Sequence, residues 1–177
     1  MVAITGASGS IYGIRLLREL PGEKILVISE TAKKIIPRET GMSVKDVEAL
    51  ADKVFEDDDL FASISSGSFR YDCMFVAPCS ESSVAKFASG VSDTLISRAV
   101  SVCMKEGRKV ILVVRETPKS AIMLENELKL ARCGVVIMDA NPGFYPGPRS
   151  VDDMVKFVVG RCLDTAGISH ELYRRWE

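Results

Sequence analysis

The sequence contains a single histidine, His170, and none of its five cysteines forms a CxxC pair. Because zinc sites are built from clustered His and Cys ligands, we exclude a zinc centre of that kind and predict no metal site. The odd number and wide spacing of the cysteines are typical of reduced thiols, most of them in a core. Acid, base and phosphate-binding chemistry must therefore come from carboxylates, Lys, Arg, Ser and Tyr.

The sequence also lacks a dense block of Lys and Arg, and no apolar run approaches the ~20 residues that span a bilayer. The formal net charge is -1, whereas nucleic-acid and anionic-membrane surfaces need clustered positive charge. Met1 leads directly into a strand-like segment, without the basic and apolar regions of a secretory leader. We therefore expect a cytoplasmic protein that binds neither nucleic acid nor membrane.

Short runs rich in Val and Ile are the main feature that the sequence does have, within 177 residues that suffice for one core. These runs are residues 2–5, 24–29, 73–77, 110–114 and 135–138. Apolar strands without alternation, separated mostly by helical segments, predict a parallel sheet covered on both faces. We predict an α/β fold, a Rossmann-like three-layer sandwich, as a single domain over 1–177. Segment 168–177 is interpreted as an oligomer-contact tail.

Polar residues mark the expected helix starts. The predicted helices are 44–53 after Ser43 with Asp46, one to Lys105 after Ser92 or Asp93, one from Thr117 to Arg132, and one to Leu163 after Ser150. Two segments look like ordered loops: the serine-rich stretch after the acidic residues 56–59, and the proline-rich 141–148. Ligands of open α/β sheets bind beyond the carboxyl ends of the strands, where such loops lie.

A glycine turn, Thr5-Gly6-Ala7-Ser8-Gly9, follows the first strand. The glycines up to Gly13 miss both the GxGxxG fingerprint and the TGxxGxxG form of the short-chain dehydrogenases, and no tyrosine is followed four residues later by lysine. The pattern therefore favours a smaller phosphate site, in which glycines allow close approach, the helix offers free N–H groups, and Ser8 and Ser10 add hydroxyl donors. The alternative is a tight turn that binds nothing.

Five motifs occur together in order: "TGASGSIYGIRLL", "SSGSFRYD", "APCSESSVAKFASGVSDTLISRA", "VVRETP" with "MLENELKLARCGVVI", and "NPGFYPGPRSVDDMVKFVVGRCLD". In this combination, over residues 2 to about 168, the chain resembles the UbiX/Pad1 family of flavin prenyltransferases. The resemblance implies transfer of a dimethylallyl group from dimethylallyl monophosphate to N5 and C6 of reduced FMN, without a metal. The product, prenylated FMN, is the cofactor of UbiD-type decarboxylases. It also implies a homo-oligomer with sites at subunit contacts, a dodecamer being one candidate size.

The resemblance also assigns site residues. The implied FMN-binding residues are Gly6, Ala7, Ser8, Ser29, Ser80, Glu81, Ser82, Ser83 and Arg115. The implied acid/base residue is Glu116, and Ser8 with Glu39 is implied in proton handling near the flavin. The implied ligands of the substrate phosphate are Arg98, Lys105, Arg115, Tyr145 and Arg161. Taken from the residues alone, simple helix capping is the alternative explanation for Ser29 and Ser80, and solvated surface charge is the alternative for the cations.

Two other functional hypotheses remain open. A non-catalytic FMN carrier or partner subunit is one alternative, and a flavin-dependent decarboxylase of the same superfamily is another. Cysteine decarboxylases of that superfamily use an early histidine and a PASANT motif, whereas His170 is late and "PCSESS" stands in that position. The chain has no DDxxD motif, and residues 57–59 are expected to form a solvated loop face. Phe61 is a candidate for the aromatic wall of the prenyl pocket.

Overall fold

The chain folds around a six-stranded parallel sheet in a computed structural model that describes residues 1–176. The strands are β1 (Val2–Ile4), β2 (Ile25–Ile28), β3 (Lys53–Glu56), β4 (Cys73–Cys79), β5 (Lys109–Val114) and β6 (Val136–Asp139). The helices are α1 (Ser10–Glu19), α2 (Glu30–Thr40), α3 (Val44–Glu48), α4 (Glu81–Ser89), α5 (Leu95–Lys105), α6 (Ala121–Arg132) and α7 (Val151–Ala166). Glu177, at the end of the predicted tail 168–177, lies outside the described residues.

The strand order is β3-β2-β1-β4-β5-β6, and every neighbouring pair is parallel. Val2 of β1 therefore lies between Leu26 of β2 and Phe75 of β4. The chain order reverses direction between β1 and β4, and such a switch point opens a crevice at the carboxyl ends of the strands. The predicted Rossmann-like α/β fold is confirmed.

The core consists of two layers, one on each face of the sheet. Alternate strand residues point to opposite faces, so Met74 and Val76 join the cluster under α4, α5 and α6, while Phe75 and Ala77 join the one under α1, α2 and α7. All four residues are fully buried. This burial on both faces explains why the strands are continuous apolar runs, as a parallel sheet requires.

At the edge of the sheet, the boundaries of a helix and a strand differ from those predicted from the sequence. The predicted helix 44–53 ends at Glu48, and residues 53–56 form the edge strand β3. β3 pairs only with β2, and three of its four residues are exposed, so its sequence carries no apolar run to detect. Ser43 caps α3 as predicted, accepting a hydrogen bond from the Asp46 N–H.

Two other helices begin later than predicted. Thr94, rather than Ser92 or Asp93, caps α5. Ser120 caps α6, and Thr117 lies in a loop that joins β5 to this helix. The Ser150 cap of α7 is confirmed by a hydrogen bond of 3.1 Å from the Asp153 N–H to the serine hydroxyl. Capping side chains thus mark helix starts well, but several candidates in one loop compete for the position.

Gly13 allows α1 to pack directly against β4. A Cβ atom at this position would lie 2.3 Å from the carbonyl oxygen of Ala77, which is closer than real contacts allow. The third glycine of the opening segment is therefore required for close packing of the helix on the sheet. The contact with Ala77 explains why a glycine stands at position 13, one of the positions at which the spacing departs from both dinucleotide fingerprints.

Candidate active site

A cavity of about 560 Å³ lies at the carboxyl ends of the central strands. It is bordered by the turn after β1 and by the first residues of α2 and α4. Seven predicted site residues line it: Gly6, Ser29, Ser80, Glu81, Ser82, Ser83 and Glu116. The sheet topology thus brings residues from four strand ends to one crevice, as the motif positions indicated.

Ser29 and Ser80 act as helix caps at the border of this cavity. The Ser29 hydroxyl accepts a hydrogen bond of 3.2 Å from the Ala32 N–H. The Ser80 hydroxyl accepts one of 3.2 Å from the Ser83 N–H, and the two serine hydroxyls lie 2.9 Å apart. The capping explanation is therefore correct for both residues. The N-termini of α2 and α4 still face the same cavity, together with that of α5, and their positive dipole ends favour an anion there.

Thr5 was not singled out from the sequence, yet it organises this end of the sheet. It is 3% exposed, its hydroxyl donates to the Pro78 carbonyl at 2.9 Å, and it accepts from the Ser80 N–H at 2.9 Å. The hydrogen bonds tie the end of β1 to the start of α4. A hydroxyl residue at the end of an apolar strand was the available signal.

Glu39 reaches from the end of α2 to the N-terminus of α1. Its Oε2 atom accepts hydrogen bonds from the backbone N–H groups of Gly9 at 2.9 Å and Ser10 at 3.0 Å. Burial raises the pKa of the Glu39 carboxyl, but hydrogen bonds from residues 8–10 outweigh burial and hold this pKa below its usual value. The predicted neighbourhood of Ser8 and Glu39 is present.

The N–H groups of Gly9 and Ser10 are already hydrogen-bonded, contrary to what we expected of the glycine turn. The sequence predicted free N–H groups at the start of α1, but the Glu39 carboxylate already accepts from Gly9 and Ser10. The expectation is wrong for these two groups, because a side chain distant in sequence caps the helix. The helix starts at α2 and α4 offer the better placed anion sites.

Arg115 and Glu116 follow β5 and lie at the edge of the crevice. The Arg115 Nε atom donates to the carbonyl of Ser8 at 3.2 Å, and Glu116 Oε1 accepts from the Thr117 N–H at 3.0 Å. Glu116 lines the main cavity and also a second cavity of about 440 Å³, which Arg115 lines too. A carboxylate therefore stands between the two cavities, with a cation beside it.

Apart from Arg115, the predicted phosphate ligands do not line this crevice. Arg98 donates from Nε to the Ser65 carbonyl at 3.3 Å, and Lys105 lies 3.4 Å from Glu106 Oε1. Lys105 lines another cavity, of about 340 Å³, which shares Phe87 and Ser97 with the main cavity. It lies eight residues beyond Ser97, so its backbone is roughly 12 Å farther along the helix.

Tyr145 and Arg161 are also turned toward other partners. The Tyr145 ring packs edge-on against Phe157, with centroids 5.6 Å apart, and the Arg161 Nη1 atom lies 3.0 Å from Asp164 Oδ2. Among residues 1–176, Arg98, Lys105, Tyr145 and Arg161 line neither cavity that Glu116 borders. In a single chain the predicted phosphate site is thus incomplete.

Two large aromatic side chains outside these cavities are exposed. Phe61 is 100% exposed and lines neither cavity, so its predicted role as the pocket wall stays a prediction. Trp176 was not singled out from the sequence; it is 78% exposed and its ring lies 5.4 Å from that of Tyr145, edge to face. Tyr145 and Trp176 thus form one exposed aromatic patch, and contiguous patches of this kind are typical of contact surfaces.

Asp57 differs from the solvated face expected for residues 57–59. Its Oδ1 atom accepts from the Ile96 N–H at 2.9 Å, at the start of α5, and it lines the main cavity. Burial raises the pKa of this carboxyl. Lys86 places a cation at the same cavity, paired with Asp93 at 2.8 Å.

Across residues 1–176 no three His, Cys, Asp or Glu side chains are grouped so that they could hold a metal ion. Of the helices in that range, none is long and apolar enough to cross a membrane.

Comparisons with known proteins cover nearly the whole chain. Residues 1–163 match the Flavoprotein family. The flavin prenyltransferase UbiX of Thermoplasma acidophilum is 49% identical over 177 residues, covering 99% of this chain and 98% of the relative. The structure of a dodecameric FMN-dependent UbiX-like decarboxylase from Escherichia coli O157:H7 has a TM-score of 0.95 at 47% identity and covers 100% of both chains. AnUbiX (PadA1), in complex with FMN and dimethylallyl pyrophosphate, has a TM-score of 0.97 at 44% identity, covering 99% of this chain and 95% of that one.

Proposed function

We propose that this chain, which belongs to the UbiX flavin prenyltransferases of the Flavoprotein family, joins a dimethylallyl group from dimethylallyl monophosphate to reduced FMN. The bonds form at N5 and C6 of the isoalloxazine, and inorganic phosphate leaves. The prenylated FMN then serves a UbiD-type decarboxylase. The observation that carries the proposal is the placement of Glu116 at a cavity bordered by helix N-termini, with Arg115 beside it in the adjoining cavity, in a chain similar to UbiX over its full length.

The residues around the main cavity suit a flavin mononucleotide. Its phosphate is a dianion, and the starts of α2 and α4 supply backbone N–H groups and the hydroxyls of Ser29, Ser82 and Ser83. Glycine at position 6 leaves the turn after β1 without a side chain at the cavity wall. Reduced FMN supplies the nucleophilic N5 and C6 positions when it is bound.

Glu116 is proposed as the acid and then the base of the reaction. As an acid, its carboxyl would protonate the phosphate as the allylic C–O bond breaks. The N5 proton would be released as the first bond forms and a proton would add to the remaining C=C bond, so that the second bond can form; as a base, Glu116 would accept the proton that leaves C6. Arg115 stabilises the negative charge that develops on the leaving phosphate. Both side chains lie at one strand end, so they reach one reaction centre together.

We propose that the remaining phosphate ligands come from neighbouring chains in a homo-oligomer, a dodecamer like that of the Escherichia coli relative. Arg98 and Lys105 do not line the crevice of their own chain. Lys105 shares a cavity with Val91, an apolar residue that is 42% exposed. Segment 168–177 is proposed as a further contact, and the protein is proposed to be cytoplasmic.

The proposed reaction has a direct test. The protein is incubated with reduced FMN and dimethylallyl monophosphate, and the extracted flavin is analysed by mass spectrometry. We expect a gain of one C5H8 unit, and in Glu116→Gln a rate lower by about 100-fold or more with FMN still bound. Unmodified FMN recovered from folded wild-type protein would contradict the transferase and leave the non-catalytic carrier. Loss of FMN binding in the variant would mean that the role of Glu116 is misassigned.

Sharing of the site between chains has its own test. Glu116→Gln and Lys105→Ala are each expected to be impaired, since each variant spoils every site. Mixed oligomers formed by co-expression would contain some sites with both native residues if these come from different chains. Partial recovery of prenylated FMN is therefore expected, and no recovery from verified mixed oligomers would place both residues in one chain.

A further inference from the structure

A three-residue ionic cluster lies beside the second cavity, outside the set of residues assigned so far. Lys119 Nζ lies 2.9 Å from Glu127 Oε1 and 3.1 Å from Glu127 Oε2, and it also pairs with Asp139. The side chains of Lys119 and Glu127 are only 17% and 10% exposed. A lysine in a loop is thus joined to the inner face of α6 and to the last residue of β6.

This loop carries the proposed catalytic pair. Residues 115–120 connect β5 to α6, so Arg115 and Glu116 precede Lys119 by four and three residues. At its start the loop is held by Arg115, whose Nε donates to the Ser8 carbonyl. At its end the Ser120 hydroxyl donates to Glu81 Oε1 at 3.3 Å. Lys119 attaches the loop to α6 through Glu127 and to the end of β6 through Asp139.

We propose that Lys119, held by Glu127 and Asp139, is a positioning residue that fixes the direction of Glu116 toward the reaction centre. The inference rests on the proposed function, in which Glu116 moves the protons. Lys119 and Asp139 line the same cavity as Glu116, so a shift of the lysine displaces the wall that contains the carboxylate.

The chemistry of the cluster fits positioning better than stabilisation. A buried ion pair contributes little more to stability than two apolar side chains of the same volume. It does, however, require a specific orientation of the two charged groups. Burial lowers the pKa of Lys119, while hydrogen bonds to Asp139 and Glu127 outweigh burial and raise this pKa above its usual value. The lysine therefore stays charged at neutral pH, and both attachments persist.

The test separates positioning from stability by three variants. Lys119→Met leaves Glu127 buried without its cation, and this variant is expected to be less stable. The double variant Lys119→Met, Glu127→Met leaves no buried charge, since Asp139 is 43% exposed and can be hydrated. Lys53→Met is the matched control, because it breaks an exposed pair with Glu23 at the edge strand.

Three quantities are measured for each variant: thermal unfolding, FMN affinity, and the single-turnover rate of prenylation. We expect the double variant to recover the unfolding temperature of the wild type and to bind FMN within about twofold, while its rate stays about tenfold low. The control is expected to match the wild type in all three. A double variant with the wild-type rate would overturn the proposal.

Hydrogen exchange supplies a measurement that needs no turnover. Backbone amides of residues 115–120 are expected to exchange about tenfold faster in both Lys119 variants, with the rest of the sheet unchanged. If the wild type forms no prenylated FMN, the proposed function fails, while this exchange still tests whether Lys119 holds the loop. Unchanged exchange in the double variant would refute the positioning role independently.

Discussion

Glu39 offers a sharp prediction, because its carboxylate caps a helix from 30 residues away. Glu39→Ala removes the acceptor of the Gly9 and Ser10 N–H groups, and Gly9 itself provides no side-chain cap. Glu39→Gln keeps an oxygen acceptor and removes only the charge. The two variants therefore separate the hydrogen bonds from the electrostatic interaction with the helix N-terminus.

The expected magnitude follows from the two contacts. Loss of an N-terminal cap costs about 0.5–2 kcal/mol, and hydrogen bonds to a charged group lie at the upper end of that range. Glu39 is an exposed residue, so we expect about 1–2 kcal/mol for Glu39→Ala at pH 7 and about half of that for Glu39→Gln. For a domain of this size, that loss lowers the unfolding temperature by about 3–6 °C.

The pH dependence has a defined sign. The pKa of Glu39 is lower in the folded chain than its usual value, so its contribution is complete above the unfolded pKa. It is lost as the pH falls through the lower, folded pKa. The stability difference between wild type and Glu39→Gln should therefore shrink in acid.

Denaturant unfolding at a series of pH values, at fixed protein concentration, measures these differences. Glu125→Ala, on the exposed face of α6, serves as a control and should stay within about 0.5 kcal/mol of the wild type. Equal stability of Glu39→Ala and wild type at pH 7 would refute the capping role. A constant wild-type advantage over Glu39→Gln down to acid pH would refute its charge dependence.

Two further predictions concern packing and the C-terminal segment. Gly13→Ala places a Cβ atom 2.3 Å from the Ala77 carbonyl oxygen, and we expect a loss of about 3 kcal/mol or more in denaturant unfolding. Stability equal to the wild type would contradict the direct contact of α1 with β4. Asp164 accepts from the Tyr173 hydroxyl at 2.5 Å and has its pKa lowered to about 2, against burial that raises it, by hydrogen bonds from Tyr173, Arg175 and His170. Asp164→Asn should release the tail and lower the steady-state fluorescence anisotropy of Trp176, the single tryptophan; the wild type should show the same change only as the pH falls toward about 2. Unchanged anisotropy in the variant would rule out this anchoring.

Much of the fold was predictable because its signals are local. Strands buried on both faces must be apolar throughout, so residues 73–77 and 110–114 were recognisable without any knowledge of their neighbours. Capping is a contact over three residues, and Ser150 was therefore found in the sequence. β3 was missed for the converse reason: an exposed edge strand buries too little to need an apolar run.

The candidate site was predictable only in part. Strand ends and their serines could be placed at one crevice, because the topology of a parallel sheet determines where they meet. The resemblance supplied roles for Arg98, Lys105, Tyr145 and Arg161, but nothing in the sequence indicates which chain's crevice they border. That depends on assembly, since each of these residues contacts other partners in its own chain.

The sequence by itself determined the α/β architecture and the flavoprotein family, since periodicity, caps and motif order are properties of the chain alone. Only the tertiary structure decided that Glu39 occupies the N-terminus of α1, and that Lys119 joins Glu127 and Asp139 beside Glu116. Contacts of this kind join residues distant in sequence. A carboxylate or a lysine has the same local signature whether it faces solvent or a buried partner, so packing alone distinguishes the two.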